Sequence, residues 1–169
     1  MKKLLVVIMI VVLAVSFAFA QEELDTKKMD AGLRLGIMNN FGGITARLAV
    51  SEDSKVEVVV STPGFRGVIL TGMYQWHKPI GETQNLSWYF GGGLHMGYWT
   101  GASPRWNGTT WVNRDFALGL DAVVGIQYDI ENLIDFPLSI SLDYKPSYDI
   151  ISYWSFNLGD VALSLRYSF

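Results

Sequence analysis

The sequence has no cysteine, only two histidines and few charged residues. Without cysteine, disulfide frameworks, cysteine nucleophiles and thiolate metal sites are excluded. The 13 basic residues are outnumbered by 16 acidic ones, which argues against a nucleic-acid-binding protein because such a protein needs a basic surface. Charged residues make up 17% of the 169 residues, against about 25% in soluble domains, whereas aromatic residues reach 14%. We therefore expect one domain whose apolar surface faces something other than water.

The beginning of the chain is typical of a secretory signal peptide. Two lysines precede an unbroken apolar run over residues 4–15, and Ala18 and Ala20 fit a small-residue cleavage pattern. Residues 1–20 are therefore predicted to be a cleaved signal peptide, and the polar residues 21–30 are predicted to form a periplasmic lead-in. A membrane anchor is the alternative, but a spanning helix needs about 20 apolar residues and this run is shorter.

Beyond residue 30, apolar residues alternate with small or polar ones, which is the pattern of β-strands with two different faces. Segments rich in glycine, proline, asparagine and aspartate separate the alternating runs, as expected of turns. Most of the eight predicted strands approach the roughly 9–11 residues that cross a bilayer at a tilt. The predicted strands cover residues 31–38, 43–50, 55–61, 66–77, 86–99, 115–128, 136–145 and 160–169, and the longest connections are 100–114 and 146–158.

The composition of the two faces indicates which of them points inward. One face carries large apolar residues such as Leu33, Leu35 and Val58, whereas the other carries glycine, alanine and a few charged residues. A transmembrane barrel places its apolar side chains toward lipid and its polar or small ones toward the lumen. Eight strands leave an interior only just wide enough for side chains. The predicted fold class is therefore all-β, with residues 31–169 forming an eight-stranded, antiparallel, up-and-down transmembrane β-barrel.

The inward face collects most of the charged residues of the strands. Because unpaired charges are costly away from water, we expect them to form a network of ion pairs and hydrogen bonds that plugs the lumen. The alternative is a narrow polar path for ions or small solutes, which a barrel of eight strands rarely leaves open. The predicted network consists of Arg34, Arg47, Glu57, His95, Asp121, Asp143, Lys145 and Arg166.

Two further hypotheses concern chemistry and binding. His95 shares the inward face with Asp121 and Ser141, which are the residue types of a catalytic triad that would modify lipid acyl chains. His77 stands at a strand end and is interpreted as an interface residue. No cofactor or metal site is predicted. Aromatic residues in the long connections are candidates for binding an extracellular ligand, because such side chains supply contact area at low entropy cost. These candidates are Trp106, Trp111, Tyr153 and Trp154.

The last predicted strand alternates up to a terminal aromatic residue, with Leu163, Leu165, Tyr167 and Phe169 on one face. This strand resembles the C-terminal insertion signal of bacterial outer-membrane proteins, so the predicted assembly signal is Tyr167 and Phe169. The chain after the signal peptide resembles the small eight-stranded barrels of the outer membrane protein A and X type. Residues 86–99 are also similar to a segment of small barrels in Gram-negative bacteria. The resemblance implies a location in the cell outer membrane, contact with outer-membrane lipid and insertion by the outer-membrane assembly machinery.

The aromatic residues of the apolar face agree with this location. With a periplasmic N-terminus, the periplasmic end holds Trp76, Trp88, Tyr128, Phe136, Tyr167 and Phe169, and the outer end holds Tyr98, Phe116 and Tyr144, as expected of two aromatic girdles. We expect a monomer with a structural or surface-interaction role. The alternatives are a narrow pore or transport barrel and a lipid-modifying enzyme.

Overall fold

The computed structural model describes residues 29–37, 41–63, 67–81, 85–99, 116–131, 136–151 and 155–169. The predicted signal peptide and the lead-in up to residue 28 lie outside these residues. Eight strands alternate in direction along the chain. They are β1 (Met29–Gly36), β2 (Phe41–Ser51), β3 (Ser54–Pro63), β4 (Gly67–Pro79), β5 (Leu86–Trp99), β6 (Ala117–Asp129), β7 (Leu138–Ile151) and β8 (Ser155–Ser168).

The strands form a closed barrel in which each strand pairs antiparallel with its sequence neighbours and β8 returns to pair with β1. Leu33 of β1, for example, lies opposite Ile44 of β2 on one side and Leu165 of β8 on the other. Closure pairs every strand with two neighbours, so no sheet edge is left open. The predicted fold class, an eight-stranded antiparallel up-and-down β-barrel, is confirmed.

Alternate side chains point outward and are apolar, as the sequence predicts. Leu33, Leu35 and Leu94 are each 58% exposed on the outer wall. The inward side chains are buried and mostly polar, and they include Arg47 and Glu57 at 1% exposure. Among the residues that the structure describes, no helix is long and apolar enough to cross a membrane.

The predicted long connection at 146–158 is wrong. β7 continues to Ile151 and β8 begins at Ser155, which leaves only residues 152–154 between them. Pro146 suggests a strand break because it cannot donate a backbone hydrogen bond. In the barrel it falls where the pairing of β7 with β8 shifts register between Lys145 and Ser147, so no ladder bond is needed from its nitrogen. Gly159 accommodates this irregularity with a φ of 86°, a conformation that favours glycine.

The other strand boundaries move by a few residues. β1 begins at Met29, so Asp30, which the sequence assigns to the lead-in, is a strand residue with its side chain inside the barrel. β2 begins at Phe41 and β3 extends to Pro63, so both strands continue into residues that the sequence predicts to be turns. We call the end of the barrel that holds the Ser51–Ser54 turn and Phe169 the turn end, and the opposite end the loop end.

Candidate functional site

The interior of the barrel is crossed by one continuous layer of polar side chains. Every strand contributes to it, because inward positions recur at every second residue and the register brings them to similar heights. We call this set the central layer. Its members are Arg34 of β1, Arg47 of β2, Glu57 of β3, Gln75 of β4, Tyr89 of β5, Gln127 of β6, Ser141 and Asp143 of β7, and Arg166 of β8.

Glu57 is the principal acceptor of the central layer. Its Oε1 accepts from Nη2 of Arg166 at 2.7 Å and lies 3.4 Å from Nε of Arg47, so one carboxylate faces two guanidinium groups. Thr45 donates its hydroxyl to the same oxygen, and Gln75 donates from its amide to Oε2. Both carboxylate oxygens are therefore satisfied by side chains from other strands, which offsets the cost of burying the charge.

The two guanidinium groups connect strands that lie far apart around the barrel. Arg47 donates from Nη1 to the side-chain oxygen of Gln127 at 2.6 Å, which joins β2 to β6 across the lumen. Arg166 joins β8 to β3 through Glu57, and it donates from Nη1 to the hydroxyl of Ser141 on the neighbouring β7 at 2.6 Å. Arg47 also lies over the ring of Tyr89, 5.2 Å from its centroid, which is a cation–π contact. These contacts fill the middle of the cross-section with side chains.

A second group of contacts lies beside the first. Arg34 faces the carboxylate of Asp143 with both terminal nitrogens, each at 2.6 Å from one oxygen. The hydroxyl of Tyr89 donates to the same carboxylate at 2.8 Å. Tyr89 is fully buried and so links the two groups of the central layer, through its ring to Arg47 and through its hydroxyl to Asp143.

His95 lies nearer the loop end, between carboxylates from two neighbouring strands. Its Nδ1 is 2.7 Å from Asp121 and its Nε2 is 3.0 Å from Asp149. Lys145 donates to the other oxygen of Asp121 at 2.7 Å. His95, Asp121 and Lys145 are thus brought together, but apart from the central layer.

This geometry differs from that of a catalytic triad. A triad histidine uses one ring nitrogen toward an acid and the other toward a hydroxyl nucleophile. Both nitrogens of His95 instead face carboxylates, and the hydroxyl of Ser141 accepts from Arg166 in the central layer. The part of the chain that the structure describes contains no group of three or more residues that could hold a metal ion.

The turn end of the lumen holds further polar residues. Lys55 donates to Asp30 at 2.8 Å, and Ser168 donates to the other oxygen of Asp30 at 2.8 Å. The interpretation of His77 as an interface residue is wrong. Its side chain points inward, stacks on the ring of Tyr89 at 4.9 Å between centroids, and lies 3.3 Å from the side-chain oxygen of Gln75.

Several members of the interior are not among the residues singled out from the sequence. Tyr89 and Gln75 occupy inward positions by parity, but uncharged residues give no signal that they join an ionic network. Asp149 lies in the segment predicted to be a loop, and Asp30 lies in the predicted lead-in, so the strand pattern gives neither residue a face. Extending the alternation beyond Pro146 and back to Met29 would have placed both inside the barrel.

All four predicted binding residues, Trp106, Trp111, Tyr153 and Trp154, lie outside the described residues. The two residues of the predicted assembly signal lie on the outer wall at the turn end. The rings of Tyr167 and Phe169 are 4.9 Å apart, and Phe136 lies 5.3 Å from Tyr167, so the three form one aromatic cluster.

Comparison with known proteins extends the description of the fold. No family model matches the sequence, and no curated protein is detectably similar to it. The fold is similar to that of a solved structure, the N-terminal β-barrel domain of Pseudomonas aeruginosa OprF, with a TM-score of 0.58. The sequences are 11% identical, and the match covers 85% of this chain and 96% of that chain. At this identity the likeness establishes a shared barrel fold.

Proposed function

We propose that the protein is a non-enzymatic, monomeric outer-membrane β-barrel with a closed lumen and a structural or surface-interaction role. The observation that carries the proposal is the central layer, in which residues from all eight strands meet across the interior. Arg47, Arg166 and Glu57 are each 1% exposed, and Tyr89 is fully buried. The polar groups of this layer face one another rather than water, which supports a closed lumen.

The outer wall supports a membrane location. Its side chains are large and apolar along the strands, and aromatic residues stand near both ends, as in barrels that span outer membranes. Such a protein is inserted by the outer-membrane assembly machinery, for which Tyr167 and Phe169 are the candidate recognition signal. Trp106, Trp111, Tyr153 and Trp154 remain the candidates for contact with an extracellular ligand.

The membrane location is tested by fractionation and gel migration. The protein should sediment with outer membranes and should migrate differently in gels before and after boiling, because closed barrels resist detergent at room temperature. Sedimentation with inner membranes, or complete denaturation in mild detergent without heating, would refute the proposal.

The closed lumen is tested by solute permeability. Vesicles containing the purified protein should swell no faster than empty vesicles in an isotonic solution of a small sugar. A variant in which Arg47, Glu57 and Arg166 are all replaced by alanine should swell faster if it remains heat-modifiable, since the middle of the cross-section is then emptied. Swelling by the wild type would instead favour the alternative of a narrow pore or transport barrel.

A further inference from the structure

In the part of the outer wall that the structure describes, there is one place where two neighbouring strands both have a glycine at an outward position. Gly72 of β4 and Gly92 of β5 both face outward, and they lie one step apart in the register, since Gly72 pairs with Leu94 and Gly92 pairs with Tyr74. A groove of about 490 Å³ opens above them. Its lining includes Val56, Leu70, Tyr74, Leu94, Met96 and Leu118.

The two glycines are not required by the packing of the wall. A Cβ atom added to Gly72 would meet no atom within 4 Å, and one added to Gly92 would meet only the backbone oxygen of Asp121 at 3.5 Å. The inward glycines of the same strands differ, because a Cβ on Gly91 or Gly93 would collide with the backbone of β4. Side chains would therefore fit at positions 72 and 92, and the groove exists because they are absent.

An aromatic surface connects this groove to the turn end. Tyr74 contacts Trp76 edge to face at 4.8 Å, Trp76 stacks on Phe90 at 5.5 Å, and Phe90 stacks on Trp88 at 5.3 Å. Beyond these rings, Lys78 is exposed, shares the outward parity of Trp76 and lies opposite Trp88 in the register. The wall therefore presents, in order, a cation, an aromatic surface and an apolar groove.

The spacing of these features matches the dimensions of a bilayer leaflet. Lys78 and Gly72 are about 20 Å apart along β4 at the rise of a strand. With a tilt of about 40°, this corresponds to about 15 Å along the membrane normal, which is half of the hydrocarbon thickness. With Lys78 at a membrane interface, the groove would therefore lie near the midplane, one leaflet away.

We propose that this wall of β4 and β5 is a binding site for one phospholipid of the periplasmic leaflet, with its phosphate at Lys78 and an acyl chain in the groove at Gly72 and Gly92. The proposal rests on the membrane location proposed above and on a periplasmic N-terminus, which places the turn end on the periplasmic side. The order of cation and apolar groove matches the order of headgroup and chain in a phospholipid. A second copy of the barrel fits less well, because a two-fold axis along the membrane normal would bring the two Lys78 side chains toward each other.

The proposal is tested by native mass spectrometry of the full-length protein isolated from membranes in mild detergent and titrated with dioleoyl phosphatidylglycerol. The wild type should retain one lipid more tightly than any further lipid. The double variant Gly72→Leu with Gly92→Leu should weaken the binding of this first lipid roughly tenfold, as expected when about ten close carbon contacts are lost. Lys78→Gln should also weaken it, whereas Lys78→Arg should not.

The control variant is Ala31→Leu, which adds the same side chain to an outward position of β1, on the opposite side of the barrel. It should bind lipid as the wild type does. The proposal would be overturned by an unchanged lipid affinity in the double-leucine variant or in Lys78→Gln. It would also be overturned if the wild type were a dimer that the two leucines dissociate. Heat-modifiable migration and fractionation of each variant report separately on the barrel and its membrane location, so failure of the proposed function is distinguishable from failure of this site.

Discussion

Glu57→Gln is expected to be the most destabilising conservative substitution in the central layer. The carboxylate accepts from Arg166 at 2.7 Å, faces Arg47 at 3.4 Å and accepts from Gln75 through its second oxygen. Glutamine keeps the shape but leaves two buried guanidinium groups without their shared counter-charge. It also turns an amide donor toward Gln75, whose own side-chain oxygen already contacts His77.

The expected cost follows from the burial of the pair. Removing one partner of a buried ion pair costs about 3–5 kcal/mol, which is a large part of the roughly 5–15 kcal/mol that stabilises a domain. If the free energy of unfolding falls by about 2 kcal/mol per M of urea, the midpoint of urea unfolding should fall by about 1.5–2.5 M. The assay is tryptophan fluorescence of the protein refolded in lipid vesicles, with the loss of heat-modifiable migration as a second readout.

Two variants make this result interpretable. Glu52→Gln changes the same group in the exposed turn between β2 and β3 and should leave the midpoint nearly unchanged. Glu57→Gln combined with Arg166→Gln should cost less than the sum of the two single changes, because the uncompensated charge is removed together with its partner. A midpoint for Glu57→Gln equal to that of Glu52→Gln would refute the account of the central layer.

Three further predictions concern other parts of the barrel. Tyr89→Phe should cost about 1.5–3 kcal/mol in the same unfolding assay, since it removes the hydrogen bond to the charged Asp143, and a cost below about 0.5 kcal/mol would argue against that bond. Gly93→Ala should prevent formation of the heat-modifiable barrel because its Cβ would collide with the backbone oxygen of Gly72, whereas Gly92→Ala should fold normally. Equal behaviour of the two variants would contradict the register. His95→Ala should leave the acylation of membrane lipids in expressing cells unchanged, because both ring nitrogens are held by carboxylates, and altered acylation would revive the enzyme hypothesis.

Strand pattern and inward parity could be derived from the sequence because side-chain direction in a strand has a period of two residues. The same rule places Arg34, Arg47, Glu57, Asp143 and Arg166 on one face without any structure. Closure then brings inward residues from opposite walls within reach of one another. The pairing of Arg47 on β2 with Gln127 on β6 therefore follows from the barrel rather than from sequence spacing.

Two kinds of feature could not be derived. Partner choice within the lumen depends on the stagger between strands, which is why His95 pairs with Asp149 and Arg34 pairs with Asp143. The predicted strand ends at residue 145, although β7 continues through Pro146 by means of a bulge, and this error removes Asp149 from the predicted interior. The register of distant strands and the position of a bulge are properties of the assembled sheet, and local propensity does not contain them.

The central claim is that side chains of all eight strands close the lumen, and single-channel recording tests it most directly. The full-length protein, inserted into a planar lipid bilayer with salt on both sides, should give no steady current steps at moderate voltage. Reproducible, long-lived current steps from the wild-type protein would show that ions pass the central layer and would contradict the account.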